Sequence, residues 1–413
     1  MDFNTALILS DIHYGDLAHL ENFGKRGSAS DTDLELIAKG VVHRLKKEGK
    51  SIDFLFVLGD LTSRGSPGEF ADVNRFITIL RGLLNLSEKE VFVTYGNHDV
   101  DWKISGIEKE DSEYHSAYCE TAANLGGLFI SQQCPTYEGP VIGCGVTHLV
   151  GIDLVSLNSG IECYDDQKIK HGKLGTVQYD WLKNDLAKCL REDTTKVVIL
   201  HHHLLSLPYS NPHFDISALE EGANVIEHLG SLGIDLVLHG HRHHPIAHTE
   251  SRTTWKKPIT FFCAGSFGVG ASERESGRLP NTIHTIKINK FSKGAAFEGM
   301  VETYELDSTS EWVYLNEKNN EYSLNQKQWV GLADAAQKAD ADIQILLDEA
   351  SKLLESEQFF SLPPYNDLSH SLRCLNYNLL NESIQNKAHE IGLTITGDYP
   401  KRCIATGGKN GQE

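Results

Sequence analysis

Hydrophobic positions along this chain fall into short continuous runs separated by longer amphipathic stretches. Leu7–Leu9, Phe54–Leu58, Val91–Thr94, Leu149–Leu157, Val197–Leu200 and Leu236–Leu238 are apolar, rich in β-branched and aromatic residues, and bounded by polar turns. Such runs predict buried strands. Between them Asp33–Glu48, Gly68–Leu86, Val177–Leu190 and Ile216–Leu229 predict helices. Strand alternating with helix implies an α/β sheet with helices on its faces. Ile259–Ala264, Thr282–Ile288 and Met300–Leu306 follow without long helices between them and predict a second, more antiparallel sheet.

The pattern changes after Trp312. Residues 313–328 are expected to form a linker, centred on the polar stretch Asn316–Asn325. From Trp329 on, Leu332, Ala336, Ala339, Ile343, Leu347, Ala350 and Leu354 recur at helical spacing. Pro363-Pro364 breaks the chain, and Leu372, Leu375, Leu379, Ile384, Ala388 and Ile391 mark a second amphipathic helix. The expected organisation is a body over residues 1–312, a linker, and a helical hairpin over 329–413 whose Gly/Lys-rich tail is mobile.

Composition narrows the function classes. The chain has 413 residues, 40% of them hydrophobic, enough to fill a sizeable core. Its net charge of −19 disfavours a nucleic-acid substrate, because non-specific binding to a phosphate backbone depends on basic charge. Eight cysteines are scattered without a C-x-x-C pair, which favours buried free thiols over disulfides. No apolar run approaches the ~20 residues of a membrane span, and Ala6–Leu9 reads as a strand rather than a leader. A cytoplasmic protein without membrane contact is expected.

Five polar clusters follow apolar runs: Ser10-Asp11-Ile12-His13, Gly59-Asp60-Leu61-Thr62, Gly96-Asn97-His98-Asp99, His201-His202-His203 and Gly240-His241-Arg242-His243. Ligands of open α/β sheets bind at the carboxyl ends of strands, so loops there bring such clusters together. Asp11 with His13, and His241 with His243, alternate so that each pair shares a side of an extended segment. With Asp60, Asn97 and one histidine of the triple they supply carboxylate, amide and imidazole donors without thiolate. That mixture suits Mn²⁺, Fe²⁺, Zn²⁺ or Co²⁺, with manganese favoured. Seven ligands exceed one tetrahedral ion and suit two adjacent ions sharing a carboxylate. Two ions ~3.5–4 Å apart hold a hydroxide nucleophile and clamp a phosphate for in-line displacement.

These motifs, in this order, resemble the calcineurin-like metallophosphoesterase superfamily from about Leu7 to Ser266. Gly172, Leu174, Gln178, Trp181 and Leu182 are similar to its G-x-L…Q-x-x-W-L segment, and Cys263-Ala264-Gly265-Ser266 to the small-residue strand end after G-H-x-H. The resemblance implies two facing β-sheets flanked by helices, an αββα sandwich. It implies that Asp11, His13, Asp60 and His243 hold one metal, and Asp60, Asn97, His241 and one of the triple histidines the other, with Asp60 bridging. His201 is chosen because it directly follows its strand. His98 is expected beside the phosphate, with Asp99 orienting it, and His202, Arg64 and Arg242 as substrate contacts. The implied reaction is phosphoester hydrolysis by a metal-bridging hydroxide, on a small phosphodiester by preference.

Plainer readings stand beside these. A lone histidine is more often structural, and His43, His115, His148, His171, His228, His248, His284, His370 and His389 are given no role. Gly59, Gly96 and Gly240 are expected in tight turns that let backbone approach the metals. The alternatives in function are a phosphomonoesterase or protein phosphatase, a DNA nuclease, and a metal-free scaffold docking a protein partner through the C-terminal helices. Complete ligand positions argue against the scaffold.

Overall fold

A computed structural model describes residues 3–15, 30–99, 143–160, 172–205, 217–268, 280–289, 297–315, 327–354, 360–361, 377–391, 393–396 and 403–406. In chain order these form β1 (Phe3–Leu9), α1 (Asp31–Lys47), β2 (Phe54–Leu58), α2 (Pro67–Leu84), β3 (Val91–Thr94), β4 (Gly145–Leu149), β5 (Ile152–Ser156) and α3 (Gly175–Asn184). Then come β6 (Thr195–Ile199), α4 (Gly222–Leu232), β7 (Leu236–His239), β8 (Ile246–Glu250), β9 (Ile259–Cys263), β10 (Thr282–Asn289), β11 (Glu298–Leu306) and β12 (Trp312–Tyr314). The last are β13 (Lys327–Gly331), α5 (Leu332–Leu354), β14 (Phe360–Ser361), α6 (Tyr377–Glu390), β15 (Leu393–Thr396) and β16 (Cys403–Thr406).

Two mixed sheets face each other. One has the order β12-β11-β10-β1-β2-β3, with β13 also on β11; the other runs β4-β5-β6-β7-β9-β8. The continuous apolar runs have a simple cause. Ala6, Ile8, Phe54, Phe56 and Leu58 point inward against Leu154, Ile199, Leu238 and Phe262 of the opposite sheet. Their alternates Leu7, Leu9, Leu55 and Val57 point outward under Val41, Leu45, Phe70 and Phe76 of α1 and α2. Val198 and Val237 do the same under Trp181, Leu182, Ile226 and Leu229 of α3 and α4. Strands covered on both faces have no polar side to alternate with. The expected αββα sandwich is the observed one.

Several boundaries differ, for local reasons. α1 and α2 start earlier than expected because Ser30 with Asp33, and Ser66 with Glu69, form reciprocal caps, and Pro67 opens the second helix. The run 149–157 is not one strand but the far half of a hairpin: Leu149 pairs with Ile152 across Val150-Gly151. Gly151 takes a left-handed φ of 74°, and Val150 stands in solvent.

The C-terminal region also departs from the expected division. Residues 327–331, placed partly in a linker and partly in a helix by periodicity, form β13 and pair with β11 from Glu298 to Glu302. The polar centre of the expected linker, residues 316–326, lies outside the described residues, as do Leu372, Leu375 and the Pro-Pro pair. The helical pair is present as α5 and α6, but β14, β16 and β15 add a small antiparallel sheet beside it. Residues 393–396 and 403–406 are strands of that sheet, although the chain after Thr394 is expected to be a mobile tail. Short β-branched segments such as Leu393–Thr396 carry too little period to show before their partner strand is known. Among the described residues, no helix is long and apolar enough to cross a membrane.

His284 shows how the two sheets are fastened. It lies on β10, fully buried, and its Nε2 accepts the N–H of Gly265 from the loop after β9 at 3.0 Å. Nδ1–H is thereby left to donate to Thr303 Oγ1, 2.9 Å away. Burial holds this imidazole down at about 3, against its usual 6.5. A histidine kept neutral by folding contributes stability that is full above pH 6.5 and is lost as pH falls from 6.5 towards 3. His284→Gln cannot take up that proton. Urea titrations at pH 7.5 and pH 4 are expected to show the stability gap between wild type and His284→Gln narrowing on acidification, on the order of 1–3 kcal/mol. A gap unchanged with pH would contradict this role.

Candidate metal centre

All five polar clusters lie at the carboxyl ends of β1, β2, β3, β6 and β7, on one rim of the facing sheets. The chain leaves each strand sharply. Seven non-glycine residues among those described have positive φ, and five of them are predicted ligands: Asp11 (52°), His13 (49°), Asp60 (48°), His241 (72°) and His243 (54°). The predicted pairs therefore do not share a side through strand alternation. They converge because each member turns left-handed just beyond its strand. Such a conformation costs about 1–3 kcal/mol per residue and persists only where the surroundings enforce it.

The surroundings are identifiable. The loop after β1 is laced to the loop after β2 by Asp11 N–H to Gly59 O, His13 N–H to Asp60 O and Tyr14 N–H to Leu61 O, at 2.8–3.0 Å. Ser63 Oγ donates to His13 O at 2.7 Å. From the other sheet, Ser266 Oγ and Gly268 N–H both donate to Asp11 O. Glycine makes the close approaches possible. A Cβ on Gly96 would lie 2.0 Å from Asp60 Oδ1, and one on Gly240 would lie 1.9 Å from Ser10 Oγ. Of the three glycines expected in tight turns, only Gly59 has a positive φ; the other two serve contact rather than turning.

The side chains meet at two adjacent points. At the first, His13 Nε2 and His243 Nε2 lie 3.1 Å apart, with Asp11 Oδ1 3.3 Å from His243 Nε2. At the second, His201 Nε2 and His241 Nδ1 lie 3.2 Å apart. Asp60 Oδ2 stands between them, 3.7 Å from His13 Nε2 and 3.3 Å from His201 Nε2. Its other oxygen accepts the His98 N–H at 2.9 Å, which sets the turn carrying Asn97 against it. His201 gives Nδ1–H to Leu58 O at 2.7 Å, so Nε2 is the nitrogen turned toward the centre.

These donors fit divalent cations. Burial opposes charge on Asp11 and Asp60, yet the facing imidazoles hold both carboxyls below the ordinary range. Burial keeps His13 neutral, down at about 3. Burial also opposes charge on His201, but the Asp60 carboxylate outweighs it and holds that imidazole up at about 9. A proton on His201 thus stands where a cation would balance Asp60. Four triads have ligand atoms within 4.8 Å of one another: Asp11-His13-His243, Asp11-Asp60-His201, His13-Asp60-His98 and His201-His202-His241.

The remaining predicted residues are placed as follows. His98 is half-buried in a 3-10 turn, not an extended segment, with its ring 4.9 Å from that of His13. Its Nδ1–H donates to Ser63 O at 3.1 Å. Asp99 does not orient it, contrary to expectation. The Asp99 carboxylate accepts N–H groups from Leu61, Thr62 and Gly96, pinning the loop after β2 to the turn after β3. Those donors are backbone groups, which no residue pattern names. Arg64 is exposed on the loop after Asp60. Arg242 is half-buried and donates to Ser217 Oγ at 2.9 Å. His202 is buried against the His201 and His241 rings. Ser10, Ser63, Ser159 and Ser266, which hold these groups, carry no sequence signal beyond their neighbours.

Facing sheets thus gather carboxylates, an amide and imidazoles on one rim, as a candidate metal centre. The calcineurin-like phosphoesterase family model matches residues 5–245, and the chain belongs to that family. Among solved structures, it is similar to a purple acid phosphatase from yellow lupin (Lupinus luteus) seeds, with 12% identity and a TM-score of 0.46, over 81% of this chain and 55% of that one. A putative 5'-nucleotidase from Staphylococcus aureus has 14% identity and a TM-score of 0.42, over 80% of this chain and 54% of that one. A dimetal phosphatase from Danio rerio has 11% identity and a TM-score of 0.42, over 71% of this chain and 97% of that one. The chain spans about half the length of the first two. No curated protein sequence matches it.

The contact glycines give a direct check. Gly96→Ala forces a methyl onto Asp60, whereas a Cβ on Gly68 meets nothing within 4 Å. Gly96→Ala is expected to lower metal content by at least half while Gly68→Ala keeps it, measured by elemental analysis of protein dialysed against Mn²⁺. Equal metal content in the two variants would contradict the tight packing at Asp60.

Proposed function

We propose that the chain hydrolyses a small phosphodiester at a centre holding two divalent cations, with manganese the favoured ion. The observation that carries this reading is the position of Asp60 Oδ2 between two imidazole clusters, 3.7 Å from His13 Nε2 and 3.3 Å from His201 Nε2. One carboxylate oxygen reaching both clusters suits a bridge. Asp11, His13, Asp60 and His243 would hold one ion, and Asp60, Asn97, His201 and His241 the other. Two such ions, when bound, supply charge neutralisation and an activated water for in-line displacement at phosphorus. The oxygen and nitrogen donor set, without thiolate, supports manganese or a similar ion.

The protein's own groups supply direction. Asp11, Asp60 and His201 are fully buried, while His98, His241 and His243 are partly open, so substrate approaches from the latter side. His98 commits Nδ1–H to Ser63 O, and its ring lies against that of His13 beside the centre. From there an imidazolium gives its proton to the departing oxygen. A net charge of −19 supports a small substrate over a long polyanion.

A panel of Mn²⁺-supplemented assays checks the substrate class: small diesters are expected to turn over at least tenfold faster than monoesters. The reverse order would replace this reading with the phosphomonoesterase one, and cleavage of DNA alone would replace it with the nuclease one. His98→Ala is expected to keep its metals and lose roughly 10²–10⁴-fold in turnover, the usual weight of general-acid help. The loss should be greatest for esters with poor leaving groups. Loss of metal along with activity would move His98 into the ligand set.

A further inference from the structure

The two oxygens of the Asp11 carboxylate are set to different tasks. Oδ1 stands 3.3 Å from His243 Nε2 and 3.9 Å from His13 Nε2, on the side of the imidazoles. Oδ2 accepts the hydroxyl of Ser10 at 2.5 Å. Ser10 is fully buried just beyond β1, and its Oγ also lies 3.3 Å from Leu58 O. A hydroxyl has one proton to give, and a bond to an ionised acceptor is the stronger one. The carboxylate, nearer as well as charged, takes it.

Main chain from the other sheet closes on the same pair. The N–H of His241 points at the carboxylate, 3.1 Å from Oδ2 and 3.2 Å from Oδ1. Gly240 leaves the room for this approach: a Cβ there would lie 1.9 Å from Ser10 Oγ and 2.6 Å from Asp11 Oδ2. The main-chain oxygen of Asp11 is gripped by Ser266 Oγ and Gly268 N–H. Backbone and carboxylate are thus both held, and turning Oδ2 towards the imidazoles would break the Ser10 bond. That restriction matters to a cation. Ca²⁺ gathers about six to eight oxygens and often takes both oxygens of a carboxylate. Ions that accept imidazole together with single carboxylate oxygens, such as Mn²⁺ or Zn²⁺, lose nothing by it.

We propose that Ser10 is a positioning residue that limits Asp11 to one oxygen towards the cation it shares with His13 and His243, and that this limit discriminates against Ca²⁺ in favour of smaller divalent ions such as Mn²⁺. The proposal rests on the two-cation reading of the centre. It gives the close packing of Gly240 on Ser10 a chemical purpose: the contact keeps the hydroxyl on the far oxygen of the carboxylate.

The test reads ion binding directly, without turnover. Metal-free full-length protein is titrated calorimetrically with Mn²⁺ and, separately, with Ca²⁺. Wild type is expected to bind Mn²⁺ more tightly, and Ser10→Ala to narrow that preference about tenfold or more, the weight of one hydrogen bond to a charged acceptor. A side chain that only packs would lower both affinities together, so an unchanged preference in Ser10→Ala overturns the proposal. Wild type that binds Ca²⁺ as tightly as Mn²⁺ overturns it as well. A crystal structure of manganese-loaded wild type needs no variant. Asp11 Oδ1 is expected on the ion and Oδ2 on Ser10 Oγ, and both oxygens on one ion would refute the assignment. Wild type that binds no Mn²⁺ sinks the two-cation reading and this proposal with it.

Discussion

Two carboxylates, Asp11 and Asp60, are buried together at the ends of adjacent parallel strands, inside a cage of imidazoles. Like charges withdrawn from water repel and lose solvation, so this arrangement is unfavourable unless positive charge is supplied. The imidazoles supply part of it, which is why His201 stays protonated up to about 9 when no cation is present. Much of the surrounding architecture serves to hold these two groups where the chain would not otherwise put them.

That work is divided between the sheets. The first presents Asp11, Asp60 and the Asn97 turn; the second presents His201, His241 and His243. Neither sheet has the site alone. The inward-facing layer, from Ile8 and Phe56 to Leu238 and Phe262, sets the spacing between them. Ser266 and Gly268 reach from the second sheet to Asp11 O, and His284 anchors the loop that carries them. The strain of left-handed Asp11, His13 and Asp60 is offset by hydrogen bonds between loops, while Asp99 joins a third loop to the same lacing.

The fold was legible in the sequence to the extent that burial was. Phe54–Leu58 and Leu236–Leu238 are continuous apolar runs because they are covered on both faces, and so they read as strands at once. The half-polar β8 and the edge strands β12 and β13 escaped, since Ile246–Glu250 and Lys327–Gly331 owe their conformation to pairing rather than to composition. In the candidate site the groups with distinctive chemistry, such as Asp60, His201 and His243, could be named in advance. The reason they converge could not: strand alternation was expected, and left-handed turns are observed. Asp99 was assigned to His98 because it is its neighbour in sequence, whereas it accepts main-chain N–H groups of Gly96 and, 38 and 37 residues away along the chain, of Leu61 and Thr62. Ser159 was invisible for the same reason, because a serine acquires meaning only from what its hydroxyl meets.

Anomalous diffraction at the manganese edge, from crystals grown with Mn²⁺, tests the proposed two-cation centre most directly. Two peaks are predicted, ~3.5–4 Å apart as in two-metal hydrolases, one on each side of Asp60 Oδ2. One would lie within reach of Asp11, His13 and His243, and the other within reach of Asn97, His201 and His241. A single peak, or a second one bound away from Asp60, would contradict the proposal that its carboxylate is shared.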